Sequence, residues 1–201
     1  MRSEITKLMN KSRGFFKKHK SEILDIIVFG SIMRGKENPS DVDVLIVFKN
    51  EVNKNIEYEF KRLFSNINLQ IISKTESSVK EQSFSARDSI FFEGYSLIRR
   101  IYLADEKGYA SLGLFYYQTR NLSNVQKTKF YYAFNGRNSP GFAKELNCIK
   151  ISDNLIGVNL EYIEKAKGFF EYWKIDYKYI PCLIPERMAK KHILGKVIES
   201  N

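Results

Sequence analysis

The chain has 201 residues, 43% hydrophobic and 14% aromatic, which is enough apolar content to bury a core and speaks against intrinsic disorder. Two cysteines (Cys148 and Cys182), only His19 and His192 as histidines, and no Cys-x-x-Cys argue against a disulfide framework or a structural zinc site. The 33 Lys+Arg against 23 Asp+Glu leave a net charge of +10, suited to polyanionic partners or simply to a solvated basic surface. The first twenty residues hold seven basic residues and no apolar secretory core. No apolar run nears the ~20 residues of a membrane span. A soluble, cytoplasmic protein with no membrane partner is expected.

In chain order, residues 4–19 read as a basic helix with Ser3 as its cap and His19 at its surface end. Ile26–Phe29 then forms a short apolar strand ended by Gly30. A turn-rich stretch from Gly35 to Ser40 leads to a second strand, Val42–Phe48. Residues 51–65 carry Ile56, Phe60, Leu63 and Phe64 at i, i+4, i+7 and i+8, a helical stripe. Ile67–Ser73 reads as a third strand. Ser78 with Glu81 predicts a capped helix running towards Arg100, broken near Gly94. Beyond it, 107–122 and 123–135 read as two helices, the second capped by Ser123. Cys148–Val158 is strand-like, 160–174 is helical with Asn159 as its cap, and the tail holds Pro181 and Pro185 before a basic end. The expectation is an α/β unit over 1–104, a small mixed sheet with helices packed on it, followed by a mainly helical region over 105–201.

The chemistry concentrates in Ile26-Ile27-Val28-Phe29-Gly30-Ser31-Ile32-Met33-Arg34-Gly35 and Ser40-Asp41-Val42-Asp43. A buried strand ending in Gly-Ser puts a small turn at the start of a short helix, where free N–H groups attract phosphate. Ser31 adds a hydroxyl and Arg34 a cation. Asp41 and Asp43, two apart at a strand start, point to the same face. Paired carboxylates beside a phosphate-binding turn suit Mg²⁺ holding a nucleoside triphosphate. A lone Gly-Ser is usually only a turn, and a lone Asp-x-Asp a solvated strand end. Their occurrence together, in order, between two strands carries the reading.

Gly30-Ser31-x-x-Arg34-Gly35 … Ser40-Asp41-x-Asp43 resembles the signature of the DNA polymerase β-like nucleotidyltransferase superfamily. The chain is most similar to the family's minimal bacterial and archaeal members, over roughly residues 10–100, including Glu93-Gly94-Tyr95. The resemblance implies a short mixed sheet with helices on one side. It implies attack of an acceptor hydroxyl on the α-phosphorus of a nucleoside triphosphate, with two Mg²⁺ ions. Asp41 and Asp43 would be the catalytic metal ligands, Gly30 and Ser31 would hold the β- and γ-phosphates, and Arg34 would neutralise pyrophosphate. The acceptor would be an RNA end, a protein hydroxyl or a small molecule.

One departure matters. The family's third carboxylate lies on the following strand, and Ile67–Ile72 contains no acid. Gln70 matches the position, with Asn68 on the same face. An amide can ligate through oxygen but cannot act as a base. Either Glu76 or Glu81 moves in, or the protein is a slow or non-catalytic member, a nucleotide- or RNA-binding regulator or antitoxin-like partner of another protein.

Residues 107–144 hold six basic residues, no acid and nine aromatics. Cations for phosphates and rings for stacking suit RNA or single-stranded nucleic acid, with Lys127, Lys129 and Arg137 as contacts. Phe115 and the i, i+4 pair Phe130/Phe134 equally suit a core. Cys148 and Cys182 read as buried thiols.

Overall fold

The computed structural model describes residues 3–188. His192 and the basic tail end lie outside the described residues. The chain divides into two compact units that meet between Glu106 and Lys107.

The first unit begins with α1 (Ser3–Lys18), whose Ile5, Leu8, Met9 and Phe15 are buried. β1 (Ile23–Phe29) pairs antiparallel with β2 (Val42–Phe48). α2 (Lys54–Leu63) is capped by the Asn53 side chain, which accepts from the Asn55 and Ile56 N–H groups. It leads to β3 (Leu69–Thr75), parallel to β2. α3 (Glu76–Val79), α4 (Arg87–Glu93), the short β4 (Tyr95–Ser96) and β5 (Ile101–Tyr102), and α5 (Leu103–Glu106) complete the unit. The sheet order is β3-β2-β1-β4-β5, a mixed sheet.

β1 and β2 are central, so their residues face apolar partners on both sides, and this is why their sequences run apolar without alternation. Ile26, Val28, Val44, Ile46 and Phe48 join Leu8, Phe15, Ile56 and Phe60 in one core. Ile27, Phe29, Leu45 and Val47 join Phe84 and Ile90 in a second. Helices therefore cover both faces, where the family resemblance implied one. The buried acid in β1, Asp25, accepts from Ser96 Oγ and Arg99 Nη2, each at 2.7 Å, and so fastens β1 to the β4–β5 hairpin. The helix expected from Ser78 to Arg100 is instead broken into α3, α4 and this hairpin. Thr75, not Ser78, is the cap: its hydroxyl and the Ser78 side chain each accept from the other residue's N–H.

The second unit departs further from expectation. Residues 107–122 are not a helix: Tyr109–Gln118 is β6, a ten-residue strand. Phe115 and Tyr117 are buried while Tyr116 between them is exposed, the period of two that a pleated strand imposes. α6 (Asn124–Asn135) follows, with Ser123 as cap and Gln126 completing the capping box. Next come α7 (Phe142–Glu145), the hairpin β7 (Ile149–Ser152) and β8 (Leu155–Asn159), a 3₁₀ turn over Leu160–Tyr162, and α8 (Ile163–Tyr172). Asn159 precedes the 3₁₀ turn and makes no side-chain cap bond. The proline-bearing tail forms β9 (Asp176–Pro185), then α9 (Glu186–Met188). The sheet order β7-β8-β6-β9 is antiparallel throughout. β9 is an edge strand, where Pro181 and Pro185 can be tolerated. A mainly helical C-terminal region is thus corrected to a four-stranded sheet with helices. Its core is aromatic: Phe115 lies 5.7 Å from Phe170, Tyr117 5.7 Å from Phe134, and Phe142 stacks on Phe169 at 3.9 Å. No helix among the described residues is long and apolar enough to cross a membrane.

Candidate active site

β1 runs antiparallel to β2, and β3 runs parallel to β2. The end of β1 and the starts of β2 and β3 therefore meet at one edge of the sheet. That topology alone brings Gly30, Asp41, Asp43 and Gln70 together, although 40 residues separate the first from the last.

Gly30 has φ +84 and lies so close to Asp43 that a Cβ there would sit 2.1 Å from Asp43 Oδ2. Glycine meets both demands at once. The residues after it form turns, with Met33 N–H donating to Gly30 O at 3.0 Å and Lys36 N–H to Ser31 O at 3.0 Å. The helix expected to start at Gly30-Ser31 is absent, since the chain turns again at Gly35, φ +97. The turn therefore presents its N–H groups with the half-buried Ser31 and Arg34, and no helix dipole.

The turn is held by a residue whose role sequence reasoning did not assign. Glu93, at the end of α4, is buried with its side chain 4% exposed. Its Oε1 accepts from Gly30 N–H at 3.0 Å and its Oε2 from Arg34 Nη1 at 2.5 Å. One carboxylate so fixes the turn's first residue and its cation together. The signal was present: Glu93 is the one charged residue in the apolar run Ile90-Phe91-Phe92-Glu93-Gly94-Tyr95, and a buried charge requires a partner.

On the other side of the cleft, Asp43 pairs in register with Gln70. Gln70 Nε2 donates to Asp41 Oδ2 at 2.6 Å. Asn68 serves the fold by pinning the chain ahead of β2. Its Nδ2 donates to Ser40 O at 3.0 Å, and its backbone carbonyl accepts from Val42 N–H at 2.9 Å. Glu76 follows the far end of β3, about 20 Å from Gln70 at ~3.3 Å per residue, and pairs with Lys80 at 2.9 Å. Glu81 is exposed and accepts from Ser83. The partners of the two acids, Lys80 and Ser83, lie away from Gln70 in the chain.

Burial first, then the neighbouring Asp41 and Glu93 carboxylates, hold the Asp43 carboxyl above its ordinary 3.8, with Arg34 pulling the other way. Asp43 thus lies among the Asp41 and Glu93 carboxylates and the Arg34 guanidinium. Among the described residues no three His, Cys, Asp or Glu side chains form a ready metal cage. The donor set still fits a hard divalent cation: two carboxylates in an over-negative cleft, with an amide beside them that could turn its oxygen inward.

The family model for the nucleotidyltransferase domain matches residues 9–94, a span that includes every residue of this cleft. This stretch is a nucleotidyltransferase domain. No curated protein matches the chain. Among solved structures, the chain is similar to one from the crystal structure of a mutant of the toxin-antitoxin MntA-HpeT. The TM-score is 0.35 and the identity 14%, covering 44% of this chain and 70% of that one. The match ends at residue 94, directly after Glu93.

In the second unit Lys127 and Lys129 are exposed on α6, and Arg137 is exposed just beyond it. Of the nine aromatics over 107–144, Phe115, Tyr117, Phe130 and Phe134 are core, while Tyr131 and Tyr132 stand at the surface. Both cysteines are half-buried, and burial pushes the Cys148 thiol up to about 12, which leaves it unreactive near neutrality.

Proposed function

We propose that the nucleotidyltransferase domain transfers a nucleoside monophosphate from a nucleoside triphosphate to an acceptor hydroxyl, with Mg²⁺ held by Asp41 and Asp43. The observation that carries this reading is the make-up of the cleft: Asp43, held above its ordinary pKa by burial and then by the Asp41 and Glu93 carboxylates, calls for a cation. Gly30 N–H is already committed to Glu93, so the following turn's N–H groups and the Ser31 hydroxyl would meet the β- and γ-phosphates. Arg34, held beside the turn by Glu93, would meet the departing pyrophosphate with its guanidinium charge. Mg²⁺ held by Asp41 and Asp43 would supply charge stabilisation for the attacking and leaving oxygens, two ions being usual for this reaction class. Gln70 holds Asp41 in place and can offer an amide oxygen, but it takes no proton. The acceptor's proton therefore passes to water, and the missing base forfeits roughly 10²–10⁴-fold in rate. RNA, a protein side chain or a small molecule could each supply the hydroxyl.

The same Gln70 favours a second reading, a domain that binds nucleotide and has lost turnover, acting as a regulator or antitoxin-like partner. Incubation with each labelled nucleoside triphosphate and Mg²⁺, with and without cellular RNA, separates the two. Nucleotidyl transfer with pyrophosphate release, lost in Asp41→Asn and Asp43→Asn, is expected. Mg²⁺-dependent binding without transfer to any acceptor would favour the second reading. Triphosphate binding indifferent to Mg²⁺ and to both aspartates would overturn both.

A further inference from the structure

We infer that the outer face of α6 binds single-stranded nucleic acid, stacking bases on Tyr131 and Tyr132 and neutralising phosphates with Lys127, Lys129 and Arg137. The helix sorts its aromatics by chemistry. Phe130 and Phe134 are 5% and 4% exposed, whereas Tyr131 and Tyr132 are 60% and 39% exposed. Each outward tyrosine has a lysine about one turn before it, Lys127 at i−4 of Tyr131 and Lys129 at i−3 of Tyr132, close enough to share one surface. The two rings lie 5.8 Å apart at 72°, and the Arg137 guanidinium sits 4.9 Å from the Tyr132 ring centre. Lys150 on β7 lies near enough to Tyr131 for their charges to interact, and its own pair with Asp153 at 2.8 Å accounts for the carboxylate it brings.

Among the described residues no carboxylate pairs with Lys127, Lys129 or Arg137, consistent with the absence of any acid between residues 107 and 144. Exposed single aromatics are ordinary. Two adjoining rings set among unmatched cations give both parts of a single-strand surface, flat platforms for bases and charges for the backbone. An acidic protein segment would use the cations and leave the rings idle, so nucleic acid is the better fit. Single strands are favoured over duplex because only unstacked bases present their faces.

The inference stands apart from the nucleotidyl-transfer reading, because binding is measured without triphosphate or Mg²⁺. Fluorescence anisotropy of the full chain with labelled oligo(U) and oligo(dT), across a salt series, is the test. Binding should weaken steeply with salt, and the Lys127→Ala/Lys129→Ala/Arg137→Ala variant should flatten the log–log slope by about 2, at ~0.7 per phosphate contact. Tyr131→Leu and Tyr132→Leu should each weaken binding by roughly 5- to 100-fold, while Tyr→Phe at either position should keep it. All five side chains are exposed, and unchanged melting of each variant would confirm that the fold is retained. No binding at low salt, an unchanged slope, or duplex bound as tightly as single strand would overturn the inference. So would full competition by polyglutamate together with indifference to Tyr→Leu, an outcome that would mark the face as one for acidic protein.

Discussion

The two walls of the nucleotidyltransferase cleft are built to different standards. On the β1 wall Gly30, Arg34 and Glu93 form a closed network: the backbone conformation is one that glycine tolerates, the carboxylate is buried, and both of its oxygens are used. On the β3 wall Gln70 is exposed, and its polar contact is one amide donated to Asp41. The first wall is over-determined and holds its geometry without ligand. The second supplies a neutral amide that donates to Asp41. The difference teaches that one sheet edge can hold a rigid turn on one strand and a loosely held side chain on another, so that each can be altered separately.

The sharpest way to break this contrast is Gly30→Ala. A methyl group there displaces the Asp43 carboxylate and strains a positive φ. Misplacing a reacting group by about 1 Å can cost ~10²-fold, so transfer should fall by about that factor while the chain still folds. Transfer within a factor of about three of wild type would mean that Asp43 is not held by the turn.

Glu93→Ala comes next. It orphans the Gly30 N–H and removes the Glu93 pair of Arg34, whose side chain is 25% exposed and within reach of water. The expected loss is roughly 1–3 kcal/mol of stability, that of an unpaired buried donor, with weaker triphosphate binding. Denaturant melts showing no loss would deny Glu93 its tethering role.

A smaller effect, of opposite sign, is expected from Asp43→Asn. Because the folded protein holds the Asp43 carboxyl above 3.8, it binds more protons than the unfolded chain between 3.8 and the raised value. The aspartate's contribution therefore favours the fold more as pH falls through that window, and disfavours it above. Removing the charge should raise the metal-free melting temperature at neutral pH. It should also erase that part of the pH dependence. A lowered melting temperature would show that the carboxylate is well compensated without metal.

Much of the first wall was legible as a sequence. The unbroken apolar runs of Ile26–Phe29 and Val42–Phe48 announce central strands, and the spacing from Gly30 to Asp43 announces a shared edge. What could not be read was contact over long separation: Glu93 reaches Gly30 across 63 residues, and no local pattern encodes that pairing. In the second unit the errors have a different source. The Phe115-Tyr116-Tyr117 run has aromatic residues that fit strands by packing, yet its apolar density also suits a helix, and pairing with β8 and β9 decided the matter. β9 carries two prolines, and only its edge position makes a strand of it.

The central claim, a cation site one carboxylate short of its family's pattern, is tested most directly at Gln70. Gln70→Glu replaces the amide that donates to Asp41 with a third negative charge. Melting of this variant and of wild type, each with and without Mg²⁺, reads the sign. Without metal the variant should melt lower, since like charges in one cleft repel. With Mg²⁺ it should recover to wild type or above, and nucleotidyl transfer should rise. A melting difference between variant and wild type that does not change with Mg²⁺ would contradict the account, because Gln70 would then lie outside any metal site.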